Sequence, residues 1–111
     1  MQIYTEYNDG GLKMKCAVCH RPAAEMHEIF YGNGLRELSI KYGYQVPVCR
    51  SCHEVCHLRT LGAGLFSPLQ EFDKKPRRKK WIQMRLCKLA GLDFRKCQAV
   101  LRDTQRDKVI V

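Results

Sequence analysis

Cys16-Ala-Val-Cys19 and, after 29 intervening residues, Cys49-Arg-Ser-Cys52-His53-Glu-Val-Cys56-His57 are the segments that decide the fold of this chain. Each segment begins with two cysteines separated by two residues, and two such pairs can direct four thiolates at one tetrahedral zinc ion. The 29 residues between the pairs are enough for a strand, a loop and a second strand. Because this paired spacing is typical of metal ligands, we predict a structural zinc site. Its ligands are Cys16, Cys19, Cys49 and Cys52.

The cysteine content and the chain length fit a small intracellular protein. Seven cysteines in 111 residues are many, and an odd number cannot all pair in disulfides. The N-terminus lacks the basic start and apolar run of a secretion signal, and no stretch is long or apolar enough to span a bilayer. We therefore expect a cytoplasmic, thiol-reducing compartment, in which Cys-x2-Cys spacing favours a metal over a disulfide. The other cysteines, Cys56, Cys87 and Cys97, are predicted to be small core residues.

Three histidines form a second candidate metal site. His53 and His57 lie one turn apart if the residues after Cys49 are helical, and two imidazoles at that spacing can bind one ion. His27 lies on a predicted strand, which closure of the zinc site would bring toward the start of that helix. We predict that the three histidines bind a divalent ion and leave positions open for water and a phosphate oxygen. For His57 the alternative is an ordinary polar helix position, and His20 is predicted to face solvent or to support the zinc sulfurs.

Hydrophobic periodicity and turn residues predict a small α+β fold. Residues 1–15 are predicted to be an irregular arm with a turn at Asp9-Gly10-Gly11, and residues 31–43 a loop with one helical turn. The predicted strands are 25–30 and 44–48. The predicted helices run from Arg50 to before Gly62, from a Ser67 cap followed by Pro68 and Gln70, over 79–90, and over 93–103 with Asp93 as the cap. Residues 108–111 are predicted to be a strand or a tail.

The net charge of +9 is concentrated in the C-terminal part of the chain. Residues 1–67 hold seven Lys or Arg against six Asp or Glu, whereas residues 68–111 hold thirteen against five. We therefore predict a metal-binding core over 1–67 and a basic helical extension over 68–111.

One run within the extension carries six cations. Phosphate contacts from such a run would give salt-sensitive, sequence-independent binding to nucleic acid, whereas the alternative is a solvated basic face. Trp81 follows the run and is predicted to be a core residue rather than one that stacks on a base. The run consists of Lys74, Lys75, Arg77, Arg78, Lys79 and Lys80.

The metal-ligand segment resembles a known enzyme family. The order Cys-x2-Cys, then His27-Glu28-Ile29-Phe30, then Cys-x2-Cys-His-x3-His is similar to the zinc-containing HNH endonucleases of the ββα-metal superfamily, in particular to its small phage-type members. The residues after the strand also match those members, with Gly32-Asn33-Gly34, Arg36-Glu-Leu-Ser39 and Tyr42-Gly43. The resemblance covers residues 16–57 and does not extend to residues 68–111.

The resemblance implies a ββα-metal core and a metal-dependent endonuclease that hydrolyses phosphodiester bonds in DNA. Water would be activated beside a single divalent ion, either Mg²⁺ or a divalent transition metal. His27 falls at a ligand position and Glu28 at the general base, while His53 and His57 fall at the helix ligands. Glu28, His27 and His53 would form the catalytic group, and Arg36 would contact a phosphate. The expected partner is DNA or RNA rather than a membrane, and the expected origin is a phage gene expressed in a bacterial host.

Two departures from the family pattern leave alternatives open. Glu28 stands where most members have His, and a carboxylate with a pKa of about 4.3 is a weaker base near neutral pH unless burial raises that pKa. Shifting the alignment by one residue makes His27 the base and Met26 the ligand. We prefer the first alignment because a carboxylate can also bind a hard ion. The candidates for the middle asparagine of the HNH motif are Gln45, Tyr44 and Asn33.

Two rival interpretations keep the metal sites but change the function. The first is a non-catalytic zinc-ribbon protein that binds DNA or RNA on the same scaffold. The second is an interaction module whose basic run recruits a protein partner.

Overall fold

The computed structural model describes residues 4–6 and 12–110, and the side chains of residues 14–106. Its N-terminal part contains short strands, and its C-terminal part is helical. The strands are β1 (Tyr4–Glu6), β2 (Leu12–Met14), β3 (Glu25–Glu28) and β4 (Gln45–Val48). The helices are α1 (Leu35–Tyr42), α2 (Arg50–Cys56), a 3-10 helix (Pro68–Phe72), α3 (Arg78–Leu89) and α4 (Phe94–Ile110). The strands pair as two antiparallel two-stranded sheets, β1 with β2 and β3 with β4. The described chain is therefore a small α+β protein, as predicted.

The β3–β4 hairpin places the first histidine against α2. Glu25 lies opposite Val48 and Glu28 lies opposite Gln45. Since side chains alternate along a strand, Glu25 and His27 share one face. Only one residue, Cys49, separates β4 from α2, so the hairpin leads directly into the helix that carries the other two histidines.

Helix α2 is shorter than the sequence predicted. It ends at Cys56, because Leu58 adopts a left-handed conformation with φ of 65°. Leu58 lies within the helix that was predicted to run to just before Gly62, but it is outside α2 and 41% of it is exposed. The shorter helix still contains His53 and has His57 as its C-cap, so the two histidines remain one turn apart.

Helix α1 replaces most of the loop predicted over residues 31–43. Its glycines lie at the two ends, where Gly34 and Gly43 adopt left-handed conformations with φ of 80° and 75°. Ser39 attaches the helix to the strand segment, since its buried hydroxyl donates to the Phe30 carbonyl at 2.7 Å and accepts from the Phe30 amide at 3.2 Å. The glycines therefore delimit a helix, and the loop prediction was wrong over these residues.

The N-terminal arm is not wholly irregular, since β1 and β2 pair with Tyr4 opposite Met14. The turn predicted at Asp9-Gly10-Gly11 lies outside the described residues. At the other end of the chain, α4 continues to Ile110, beyond the predicted end at 103 and through most of the predicted strand or tail. Asp93 caps this helix by accepting from the Lys96 amide at 2.9 Å.

One hydrophobic core joins the two parts of the chain. Ser67 and Gln70 form the predicted capping box of the 3-10 helix, which packs against α2. Gln83 of α3 donates to the Ile29 carbonyl at 3.1 Å. The core draws on both parts of the chain, with Ile29, Phe30, Val48 and Val55 from one and Leu69, Phe72, Ile82, Leu86 and Leu101 from the other. Cys56, Cys87 and Cys97 are buried in it, as predicted.

Within residues 4–6 and 12–110, no helix combines the length and the apolar character needed to cross a membrane.

Candidate metal centres

Four cysteine sulfurs converge where the turn after β2 meets the start of α2. The sulfurs of Cys16, Cys19, Cys49 and Cys52 all lie within 4.8 Å of one another. Cys16 and Cys52 are fully buried, and the four thiols are free rather than disulfide-bonded. The predicted grouping is therefore present, and four thiolates at this spacing can hold a metal ion such as zinc.

The backbone around Cys16 forms a tight reversal that points two sulfurs inward. The Cys16 amide donates to the Arg21 carbonyl at 2.7 Å, and the Ala17 amide donates to the Pro47 carbonyl at 2.9 Å, which attaches the reversal to β4. His20 completes the turn with a left-handed φ of 67°. Helix α2 supplies the other two sulfurs, since Cys49 is its N-cap and Cys52 lies in its first turn.

Hydrogen-bond donors surround the cysteine cluster and stabilise thiolate charge. Arg21 donates from Nε to the Cys19 sulfur at 3.1 Å, and the Ser67 hydroxyl donates to the Cys52 sulfur at 3.2 Å. The hydrogen bond between Cys16 and Cys52 lowers the pKa of Cys16 and raises the pKa of Cys52, so one proton resides on Cys52. The donor set fits a zinc ion, whose binding would displace that proton.

Two contacts to the cysteine cluster, from Arg21 and from Ser67, were not identified from the sequence. His20 was considered as a possible support for the sulfurs, but it is exposed and its neighbour Arg21 makes the contact. Ser67 was assigned only a capping role, yet its hydroxyl reaches the cysteine cluster at Cys52, 15 residues away along the chain. The Ser67 contact depends on tertiary proximity, for which sequence spacing carries no signal, whereas Arg21 lies two residues from Cys19 in the same turn.

The three predicted histidines form the second cluster. The side-chain nitrogens of His27, His53 and His57 lie within 4.8 Å of one another, and the Nε2 atoms of His53 and His57 are 3.1 Å apart. His27 is only 2% exposed, whereas the two histidines of α2 are half-buried. One imidazole therefore comes from the hairpin and two from the helix, with one side of the cluster open toward solvent.

Glu25 contacts one histidine of the cluster, His53, and fixes its orientation. Its carboxylate lies 2.6 Å from Nδ1 of His53, on the same strand face as His27. A carboxylate at this nitrogen holds the proton on Nδ1 and leaves the Nε2 lone pair directed at the other imidazoles, as in carboxylate–histidine–metal arrangements. The sequence did not identify Glu25, although its position two residues before His27 on a strand placed it on the right face.

The protonation of the histidines fits a metal site. Burial, together with the nearby His53 and His57, lowers the pKa of His27 to about 3. Burial and His53 also lower the pKa of His57. Both imidazoles are therefore neutral at pH 7, with lone pairs available for a metal. Imidazole nitrogens suit Zn²⁺, Ni²⁺ and similar transition metals, whereas Mg²⁺ prefers oxygen ligands.

Tyr31 forms one wall of the histidine cluster. Its ring lies 4.8 Å from the ring of His57 and 5.7 Å from that of His27, measured between centroids. The Tyr31 hydroxyl donates to the Cys56 carbonyl at 2.8 Å, and burial raises its pKa, so the phenol stays protonated. Lys79 lies over the Tyr31 ring, with Nζ 4.1 Å from the centroid. Neither the tyrosine nor this contact was identified from the sequence.

Glu28 lies outside the cluster of converging nitrogens. Its carboxylate accepts from Arg36 Nε at 2.7 Å and from Gln45 Nε2 at 3.3 Å. Partial burial raises the pKa of Glu28, but the hydrogen bonds from Arg36 and Gln45 outweigh that effect and hold it below its usual range. Glu28 is therefore an ionised carboxylate at neutral pH, and Arg36, whose side chain is 72% exposed, is anchored to it.

The six cations of the basic run point in different directions. Lys75 lies over the Trp81 ring with Nζ at 4.7 Å, and Arg78 is 3.7 Å from Asp73, whereas Lys79 faces Tyr31. Within the described residues, Nε and Nη2 of Arg78 are buried without a hydrogen-bond partner. The remaining members of the run, Lys74, Arg77 and Lys80, are exposed.

Trp81 was predicted to be a core residue, and that prediction was wrong. It is 41% exposed and stacks on Phe72 with a centroid separation of 6.1 Å. At the start of α3 the apolar stripe continues through Ile82 and Leu86, which are buried, and Trp81 lies beside that stripe.

No protein-family model, curated protein or solved structure matches this chain.

Proposed function

We propose that this protein is a metal-dependent endonuclease of the HNH type, with a zinc-stabilised ββα-metal core, and that it hydrolyses phosphodiester bonds in DNA. The observation that carries the proposal is the convergence of three imidazole side chains from β3 and α2 beside the four-cysteine cluster. The antiparallel pair of β3 and β4, with α1 inserted between the two strands, is followed directly by α2, and this supports the core that the resemblance implies. The cysteine cluster would fix the position of the hairpin relative to the helix.

His27, His53 and His57 would hold the divalent ion. When bound, such an ion stabilises the negative charge that develops on the phosphate and the leaving oxygen, and lowers the pKa of a bound water. Glu25 positions His53 through the 2.6 Å contact to Nδ1. The nitrogen-rich donor set favours a transition metal over Mg²⁺ among the ions that the resemblance allows.

Glu28 is the proposed general base, because a metal-bound His27 has no free lone pair at that nitrogen. The carboxylate is ionised and held by Arg36 and Gln45, so it can accept a proton from water without first losing one. Gln45, a candidate for the middle asparagine position, would orient this base. The lowered pKa limits the strength of Glu28 as a base, and it implies a slow enzyme.

Lys79 and the other cations of the basic run would hold the substrate backbone. Lys79 adjoins the histidine cluster, since it lies over Tyr31 and Tyr31 contacts two of the histidines. Phosphate contacts from these side chains would place the scissile bond at the open side of the cluster.

The rival function is a non-catalytic zinc-ribbon protein that binds nucleic acid. The observation that favours it is the ion pair between Glu28 and Arg36, because it reduces the basicity of the proposed base. In that interpretation the histidine cluster binds an ion only to stabilise the hairpin against α2.

A plasmid-nicking assay on the zinc-loaded protein separates the two functions. We expect nicking with Mn²⁺ or Ni²⁺, weaker nicking with Mg²⁺, none after chelation of the added ion, and none for His53→Ala, although the variant still binds DNA. His20→Ala is the matched control, because His20 is exposed and outside the cluster, and it should nick like the wild type. Tight DNA binding without cleavage under any of these ions would favour the zinc-ribbon protein instead.

A further inference from the structure

A cavity of about 460 Å³ lies between the segment after β3 and the hairpin formed by α3 and α4. We call it the α3–α4 cavity. Tyr31 lines this cavity and also contacts His27 and His57, so the cavity adjoins the histidine cluster. Its volume falls in the range of about 300–1,000 Å³ that is common for small-ligand pockets.

Helix α4 presents one continuous stripe to the α3–α4 cavity. The stripe consists of Gln98, Leu101, Arg102 and Gln105. These positions follow the i, i+3, i+4, i+7 pattern of a single helix face. The opposite wall consists of Lys79, Lys80 and Gln83 from α3 and of Phe30, Tyr31 and Leu35 from the segment after β3. The cavity therefore has an apolar floor, which includes Phe30 and Leu101, and a rim of lysine, arginine and glutamine side chains.

The charge of the cavity is entirely positive. Lys79, Lys80 and Arg102 line it, and none of its ten described lining residues is Asp or Glu. Among the ion pairs of the described residues, none involves these three cations. An anionic ligand would thus meet three cations that have no carboxylate partner within the described chain.

The amide groups of the rim are positioned by the backbone. Gln83 donates to the Ile29 carbonyl at 3.1 Å, and Gln105 donates to the Asn33 carbonyl at 2.7 Å. These bonds fix the two side chains and leave their amide oxygens as acceptors. Gln98 is exposed at the mouth of the cavity. Amide groups of this kind can both donate to and accept from the edge of a nucleobase.

We propose that the α3–α4 cavity binds one unpaired nucleotide of the substrate strand, next to the phosphate that the histidine cluster addresses. The base would lie against the half-buried side chains of Tyr31 and Leu35 with its edge facing the glutamines, and its phosphate would pair with Lys80 and Arg102. A paired base cannot enter a concave site, so the protein prefers single strands, frayed ends or mismatches to intact duplex. This inference rests on the proposed function for the identity of the ligand as nucleic acid.

Binding measured without cleavage tests the cavity. Zinc-loaded full-length protein with no added divalent ion is titrated into a fluorescein-labelled single strand, and separately into the blunt duplex of the same sequence, and anisotropy is recorded at several salt concentrations. We expect the single strand to bind about tenfold more tightly than the duplex, which is the scale of one base stacked on a protein surface.

Two variants and two matched controls assign that preference to the cavity. Gln98→Trp fills the mouth of the cavity from an exposed position and should remove about tenfold of single-strand affinity while leaving duplex affinity unchanged. Arg102→Ala should weaken single-strand binding and reduce the salt slope by about 0.7. Val100→Trp and Lys96→Ala change equally exposed positions of α4 that do not line the cavity, and both should bind like the wild type.

The outcomes separate the cavity from the proposed nuclease activity. Equal affinity for single strand and duplex, with Gln98→Trp silent, would overturn the cavity proposal and leave plasmid nicking as an independent test of the enzyme. Single-strand preference that Gln98→Trp removes, in a protein that cuts with none of the added ions, would support the cavity while overturning the nuclease.

Discussion

The two ligand clusters lie at opposite ends of the same short helix, and their surroundings differ. At the start of α2 three of the four cysteines are buried and Cys19 is half-buried, and Arg21 and Ser67 donate to the cluster. At its end the histidine cluster has one buried and two half-buried imidazoles, with Glu25 behind His53. A closed sulfur site suits structural zinc, whereas an open imidazole site suits an ion that must admit water and substrate. One short helix thus contributes to two ligand clusters of different chemistry, one of thiols and one of imidazoles.

The largest effect should come from removing a cysteine ligand. Cys52→Ser should leave the chain unable to hold zinc and largely unfolded, because structural zinc contributes about 10–16 kcal/mol in small domains, comparable to the whole stability of a small protein. Circular dichroism and metal content measure this. Cys97→Ala is the control, since it removes a buried thiol outside the cluster and should keep one zinc. A folded, zinc-containing Cys52→Ser protein would remove the structural role from the cluster.

Removing a histidine ligand should abolish ion binding at the histidine cluster and leave zinc binding at the cysteine cluster unchanged. Removing a residue that hydrogen-bonds to a metal ligand costs a factor of about 10–100 in metal affinity, and removing the ligand itself should cost more. We therefore expect His53→Ala and His57→Ala each to weaken Ni²⁺ binding by more than that factor, while zinc content and fold are retained. Isothermal titration of Ni²⁺ into the zinc-loaded protein measures this. If His57→Ala bound Ni²⁺ normally, His57 would be the ordinary polar helix residue that the sequence also allowed.

Removing the Glu25 carboxylate, which contacts His53, should weaken ion binding at the histidine cluster by a smaller factor. Glu25→Gln should weaken Ni²⁺ binding by about tenfold, at the low end of such effects because half of the Glu25 side chain is exposed to water. Glu54→Gln is the matched control, since Glu54 lies on α2 but pairs with Arg59 instead. An equal loss for both variants would show a general electrostatic effect rather than orientation of His53.

The smallest effect should come from removing the Ser67 hydroxyl, which links the cysteine cluster to the 3-10 helix. Ser67→Ala should cost about 1 kcal/mol of unfolding free energy, as expected for loss of an N-cap, with both metal sites retained. Urea unfolding measures it, and Thr60→Ala at an exposed position is the control. A loss of zinc in Ser67→Ala would mean that the hydrogen bond to the Cys52 sulfur is required for the site itself.

Sequence spacing predicted the members of both clusters, because each pair of ligands lies on one local element. Cys-x2-Cys fits a turn or a helix start, and His-x3-His fits one helical turn, so local geometry alone brings these side chains together. The contacts of Ser67, Glu25 and Tyr31 could not be predicted in this way, since they depend on how separate elements pack. The end of α2 at Cys56 and the helix between Gly34 and Gly43 were missed because glycines and left-handed residues mark both loops and helix ends.

The basic run shows the same limit of sequence reasoning. Six cations in seven residues suggested one surface, but the turn before α3 and the first turn of that helix send them in different directions. Lys79 and Lys80 reach the α3–α4 cavity, whereas Lys75 covers Trp81. The charge was therefore predictable, but its distribution around the molecule was not.

The presence of two separate metal sites can be measured by native mass spectrometry. The full chain purified with zinc should retain one tightly bound zinc and take up one further Ni²⁺ or Mn²⁺ that dilution removes. His53→Ala should retain the zinc and take up no further ion. A wild-type protein that binds one metal ion and never a second, at any concentration of Ni²⁺ or Mn²⁺ tested, would show that the histidine cluster is not a metal site.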